Sequence, residues 1–213
     1  MTARLPDGRP LPGPLVRLDP VTAGDLPALA AILAEPAVYT AGYVMHHRPE
    51  PGAAALAQAR LLYLDAPVPD GLGHGRVVYA VRLAADSRLG AAGTVVGTSS
   101  LGEAVVAHER VQLGWTLYHP AVWGTAVNPA AKLLLLEHCF EDLGYGRVKL
   151  QTDLRNTRSQ AAIARLGATR EGVLRRHLRR EDGSFRDTVV FSITVADWPR
   201  VRDGLLGRLA AVG

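Results

Sequence analysis

Residues 118–129 read Tyr118-His119-Pro120-Ala121-Val122-Trp123-Gly124-Thr125-Ala126-Val127-Asn128-Pro129. The stretch ahead of them, RVQLGWTLYHP, has the alternation of a strand that Pro120 ends. Behind them, Leu133, Leu136, Phe140 and Leu143 share one helical face, which predicts a helix over 129–143 with Gly144 after its end. A strand, a loop of small residues and a helix start therefore follow in order. The first N–H groups of a helix have no partners and carry partial positive charge, so a diphosphate fits there when no bulky side chain blocks it. Asn128 as N-cap and Pro129 at the first helical position would give the same pattern for structural reasons alone. The loop lacks the Lys-Ser/Thr ending of a nucleotide P-loop, which argues against ATP or GTP hydrolysis.

Working outward, RVKLQTD (147–153) alternates as a strand, and Asn156 is placed to cap a helix over 157–166 that runs into Gly167. Two strands, 172–180 and 185–195, flank the turn EDGS, and a helix over 197–209 follows. Upstream, 14–19 reads as a first strand, and Thr22 can cap a helix over 23–34 that Pro36 stops. A loop rich in Tyr, His and Pro precedes a second helical pattern over 53–65. Strands are expected at 76–84 and 92–101, with a turn near 103–109. The fold class is mixed α+β. Residues 1–13 are expected to be a flexible tail and 14–213 a single domain, with no repeat and no long linker.

The order of strand, glycine loop, helix, strand, Asn-x-x-Ser, short helix and Leu-Gly resembles the GNAT acetyltransferases. The Trp-Gly pairing after His-Pro, the stretch NTRSQAAIARLGA and REGVLRRHLRREDGSFRDTVVFSIT behind it are similar to the ribosomal-protein N-terminal acetyltransferase (RimJ/RimL-like) branch. The resemblance spans roughly 14–197. It implies a mostly antiparallel central sheet, splayed at the cofactor site and flanked by helices. It also implies acetyl-CoA as cofactor and a primary amine as acceptor, with direct attack in a ternary complex. The pantetheine arm would lie between strands 110–118 and 147–153, and a backbone N–H of Leu117 or Tyr118 would face the thioester oxygen. Trp123, Gly124, Thr125, Ala126, Val127 and Asn128 would carry the diphosphate, Asn156 would hydrogen-bond the pantetheine arm or the acceptor side, and Ser159 counts with them among the cofactor-binding residues. Tyr118 and Ser159 are thus the catalytic candidates.

Three departures from the family pattern stand out. Ala126 replaces a glycine; if its backbone takes φ > 0, the methyl costs about 1 kcal/mol and weakens cofactor binding. The tyrosine that protonates the leaving thiolate in many members falls at Ile163, and Ser159, one helical turn earlier, is the substitute. No general base is evident: Glu103, Glu109, His119 and Asp187 are the candidates, with water as the alternative. Strand 110–118 is one residue longer than in relatives, so a bulge is expected. These departures leave a second reading open, a non-catalytic acyl-CoA-binding or regulatory protein of the same fold.

Composition sets outer limits. Of 24 basic residues only Lys132 and Lys149 are lysine, so 22 are arginine, and the net charge is +4. Arginine suits phosphate, but these arginines are scattered and no aromatic-basic cluster appears, so nucleic acid is not the expected partner. With Cys139 as the sole cysteine, no internal disulfide can form. A cytoplasmic setting is expected, since no leader or membrane-spanning run of about 18 apolar residues is seen. Cys139 reads as core. His46-His47 lack further ligands at metal spacing and are expected near the acceptor, so no metal is expected. Exposed sheet edges leave a homodimer open.

Overall fold

The computed structural model describes residues 2–42, 46–65 and 75–211. The long loop at 36–52 lies partly outside these residues, and the insert at 66–75 almost wholly outside them.

Seven strands form one sheet: β1 (Val16–Pro20), β2 (Val77–Leu83), β3 (Val95–Val105), β4 (Arg110–Tyr118), β5 (Arg147–Asp153), β6 (Thr169–Arg179) and β7 (Phe185–Thr194). Their order is β1-β2-β3-β4-β5-β7-β6. Every neighbouring pair is antiparallel except β4 and β5, at the centre. A parallel pair needs a crossover, and the helix α4 (Val127–Glu137), extended by a wide turn over His138–Asp142, supplies it.

Alternation along the strands divides the core between the two faces. On one face Tyr79, Val81, Leu113, Val148 and Leu150 pack with Leu135, Leu136 and Cys139 of α4 and its extension, and with Trp198 and Val201 of α6 (Trp198–Ala210). On the other, Val78 and Leu117 pack with α1 (Leu26–Ala34), α2 (Pro36–Thr40) and α3 (Ala53–Ala59) through Leu29, Leu33, Val38 and Ala59. Both the main-chain N–H and the hydroxyl of Thr22 donate to the Asp25 carboxylate at 2.9 Å, which fixes the entry to α1. The short helix α5 (Thr157–Arg165) follows β5.

Three expectations change. The segment expected to be a flexible tail packs against the domain: Ala3 and Leu11 are buried, Leu11 exchanges both backbone bonds with Leu18, and the Arg4 N–H donates to the Leu143 carbonyl. Pro36 ends α1 as expected, but it also opens α2, where its missing N–H costs nothing. The helix expected from 129 starts two residues earlier, with the Ala130 N–H on the Ala126 carbonyl at 2.9 Å. Asn128 consequently lies inside the first turn instead of capping it.

Candidate active site

β4 and β5 pair only through Arg110–Gln112 against Arg147–Lys149. Farther along, β4 stays with β3, and β5 stays with β7, so the two central strands diverge. A bulge lies in the diverging half. Between Ser100↔Gly114 and Thr98↔Leu117, β4 takes one residue more than β3, and Trp115 has φ +48°. This is the bulge expected from length. An extra residue bends a strand and increases its twist. Beyond it opens a cleft of about 760 Å³.

Register fixes which peptide groups face that cleft. The His119 N–H donates to the Val96 carbonyl at 2.9 Å. In an antiparallel pair the groups of successive residues point alternately toward and away from the partner strand. Tyr118, opposite Gly97, therefore turns its N–H and C=O away from β3, and Leu117, opposite Thr98, turns its own toward β3. The Trp123 indole N–H donates to the Tyr118 carbonyl at 3.0 Å, which agrees with that direction. The Tyr118 side chain is a different matter. Its hydroxyl is buried without a hydrogen-bond partner, and burial raises its pKa.

The loop after β4 is held from within. His119 Nδ1 accepts from the Ala121 N–H at 3.1 Å, and Pro120–Val122 form one tight turn. The Thr125 hydroxyl donates to the Val122 carbonyl at 2.7 Å and accepts from the Val127 N–H at 3.3 Å. The left-handed residue here is Gly124, with φ +74°. Ala126 has φ −69° and ψ −10°, ordinary helical values. Its methyl therefore carries none of the strain anticipated for a glycine position. Trp123, Gly124, Thr125 and Asn128 line the cleft, whereas Val127 is buried in the core.

Across the gap, Asn156 caps α5: its Oδ1 accepts from the Ser159 N–H at 2.9 Å, and its Nδ2 donates to the Gly42 carbonyl at 3.2 Å. Asn156, Ser159 and the buried Ile163 all line the cleft. Arg158, not singled out from sequence, stacks its guanidinium 3.6 Å from the Trp123 ring centroid and joins the two walls.

Lys132 is a second residue that sequence reasoning missed. It is buried on α4, lines the cleft, and its Nζ donates to Thr116 Oγ1 at 2.7 Å and to Ser99 Oγ at 2.9 Å. Burial pushes its ammonium down to about 7. A lysine inside the otherwise apolar stripe of 129–143 was the available signal. The hydroxyls that hold it come from β3 and β4, which no helical pattern can show.

The four base candidates stand outside the cleft wall. Glu103 pairs with Lys149, Asp187 accepts from the Arg176 N–H at 2.7 Å, and Glu109 caps the β4 end remote from the loop, where its carbonyl accepts from Gly146 and Arg147. His119 is tied to Ala121. Among the described residues, the one carboxylate lining the cleft is Asp153, ion-paired with Arg180 at 2.5 Å. His46 lines the cleft, whereas the His47 N–H donates to Glu181. Cys139 is buried in the core, which raises its thiol pKa. Among the described residues no group of three His, Cys, Asp or Glu could hold a metal ion, and no helix is long and apolar enough to cross a membrane.

A parallel central pair that splays into a cleft, beside a small-residue loop opening a helix, is the arrangement that the resemblance to the GNAT acetyltransferases implies. Residues 16–169 match the family model of the acetyltransferase (GNAT) domain, and the chain belongs to that family. Its members use acetyl-CoA, and the chain is accordingly an acyltransferase. A solved candidate acetyltransferase is 36% identical, with 97% of this chain and 95% of that one covered at a TM-score of 0.79. Another, from T. thermophilus, is 35% identical, with 94% and 96% covered at 0.76. The Mycobacterium smegmatis RimJ structure in complex with CoA-disulfide shares the fold at 22% identity, with 92% and 93% covered and a TM-score of 0.69. Comparison with curated proteins finds no match.

Proposed function

We propose that the protein transfers the acetyl group of acetyl-CoA to a primary amine bound in the same cleft. The observation that carries this reading is the Tyr118 peptide, turned away from β3 into the gap, with its carbonyl held by the Trp123 indole. The β3–β4 register turns the N–H of the same residue to the same side, across the strand gap. That N–H is preorganised to meet negative charge developing on an acyl oxygen, the electrostatic contribution that dominates acyl transfer.

The cleft fits coenzyme A. The Asn128 N–H in the first turn of α4 and the small residues Gly124 and Thr125 offer a diphosphate site, and no carboxylate of the described residues lines the cleft there. Acetyl-CoA supplies an activated acyl group: the amine nitrogen forms the C–N bond, the C–S bond breaks, and the proton lost by the amine balances the one gained by the thiolate. The walls on β4 and α5 bring the reactants together. With no free carboxylate in the wall among the described residues, water takes the amine proton. Ser159 lines the cleft one helical turn before Ile163, and in this reading its hydroxyl protonates the leaving sulfur. Ordinary backbone angles at Ala126 remove one of the grounds for a non-catalytic reading.

The test is thiol release from acetyl-CoA in the presence of a panel of primary amines, with mass analysis of the products. Thiol released in step with an N-acetylated amine supports the reading. Acetyl-CoA binding without transfer to any amine favours the non-catalytic alternative.

A further inference from the structure

One corner of the cleft has an unbalanced charge. Arg186 lies on β7 opposite Leu178 of β6, two residues before Thr188, whose partner Asp153 ends β5. Arg186 lines the cleft, as do Leu178, Asp153, Gly42 and His46. Its Nε is buried without a hydrogen-bond partner, and among the described residues the guanidinium makes no ion pair. Desolvation works against its charge, Asp153 works for it, and nearby Arg180 adds a smaller opposing effect.

Asp153 is already hydrogen-bonded to the other arginine. Its Oδ2 accepts from Arg180 Nη2 at 2.5 Å and Nε at 3.2 Å, and its Oδ1 accepts from the Arg155 N–H at 2.8 Å. The corner therefore holds two guanidiniums for one carboxylate. Elsewhere the wall adds Arg76, Arg158, Arg165 and Arg208 and no further carboxylate among the described residues. A half-buried guanidinium without an anion is costly, and its planar fork matches a carboxylate or phosphate through two parallel bonds. A purely cationic amine would be repelled at this corner, whereas one bringing its own anion would neutralise it.

We propose that the acceptor is an amine that also carries a carboxylate or a phosphate, and that Arg186 binds this anionic group while the amino group lies at the strand gap. The inference rests on the acetyl-transfer reading above and names the acceptor class for that site.

The experiment compares matched acceptors on the full-length protein: the common amino acids against their amides, and phosphoethanolamine against ethanolamine. Acetyl-CoA binding is followed separately by thermal midpoint. The expected result is that one anionic series exceeds its neutral counterpart by about tenfold to a hundredfold in kcat/KM, the value of a charge-assisted bond. Which series wins separates carboxylate from phosphate. Arg186→Gln should collapse that ratio, and Arg186→Lys should restore part of it. Should Arg186→Gln fail to fold, the wild-type ratio alone decides. Equal rates for charged and neutral acceptors, or no acetylation of any of them by a protein that binds acetyl-CoA, overturns the assignment. Absence of any acetyl-CoA binding overturns the acetyl-transfer reading itself.

Discussion

The Trp123 indole N–H donates to the Tyr118 carbonyl at 3.0 Å, so the loop after β4 holds the last peptide of that strand. In the proposed mechanism this bond fixes the strand end that carries the Tyr118 N–H. Trp123→Phe keeps the ring under Arg158 but loses the donor. Turnover should fall by about tenfold or more, part of the two to three orders that a lost oxyanion donor costs, with a smaller change in acetyl-CoA affinity. Steady-state kinetics beside ligand titration would check this. An equal loss in both would assign Trp123 to cofactor binding alone.

Lys132 gives a pH signature. Burial lowers its pKa to about 7 from an ordinary 10.5. Between those values the unfolded chain binds the proton and the folded chain does not, so stability from this group rises with pH, by up to about 1.4 kcal/mol per unit. Below about pH 7 both states are protonated and the penalty is complete. Denaturant unfolding of wild type and Lys132→Met from about pH 7.5 to 9.5 should show wild type gaining on the variant. Parallel curves would mean that Lys132 stays charged in the fold.

Gly124 and Ala126 separate a conformational requirement from a family habit. Gly124→Ala forces a methyl onto φ +74° and should cost about 1 kcal/mol even though no atom crowds the site. Ala126→Gly should leave acetyl-CoA affinity within about twofold, because Ala126 is already helical. Tenfold tighter binding in that variant would contradict the backbone assigned here.

Ser159→Ala tests the acid. Its backbone N–H, not its hydroxyl, takes the Asn156 cap, so the substitution spares the α5 start. Turnover should fall by up to about a hundredfold with acetyl-CoA affinity little changed. Unchanged turnover would leave protonation of the sulfur to water.

Local signals carry most of the fold. Strand 147–153 is legible because Val148, Leu150 and Thr152 alternate inward, and the Asn156 cap is legible because it spans three residues. The start of α4 differs from its expected place because Asn128-Pro129 satisfies the rules of a helix start, yet Ala126 and Val127 are already wound into the first turn. Packing of residues 2–13 on Leu18 and Leu143 is hidden because it depends on partners far along the chain. For the same reason the site is only half visible. The loop and Asn-x-x-Ser are readable as motifs, whereas Lys132 between two strands, Arg158 over Trp123 and the buried Arg186 Nε without a partner exist only once the sheet has formed.

The most direct test of the central claim is the thermal midpoint of the purified protein with and without excess acetyl-CoA, with ATP and free coenzyme A as controls. A ligand that binds only the folded state at about a hundredfold over its Kd adds about 2.7 kcal/mol, which for a chain of this size is a rise of about 5 to 10 °C. The account predicts that rise with acetyl-CoA and with coenzyme A, and none with ATP. No rise at saturating acetyl-CoA would contradict it.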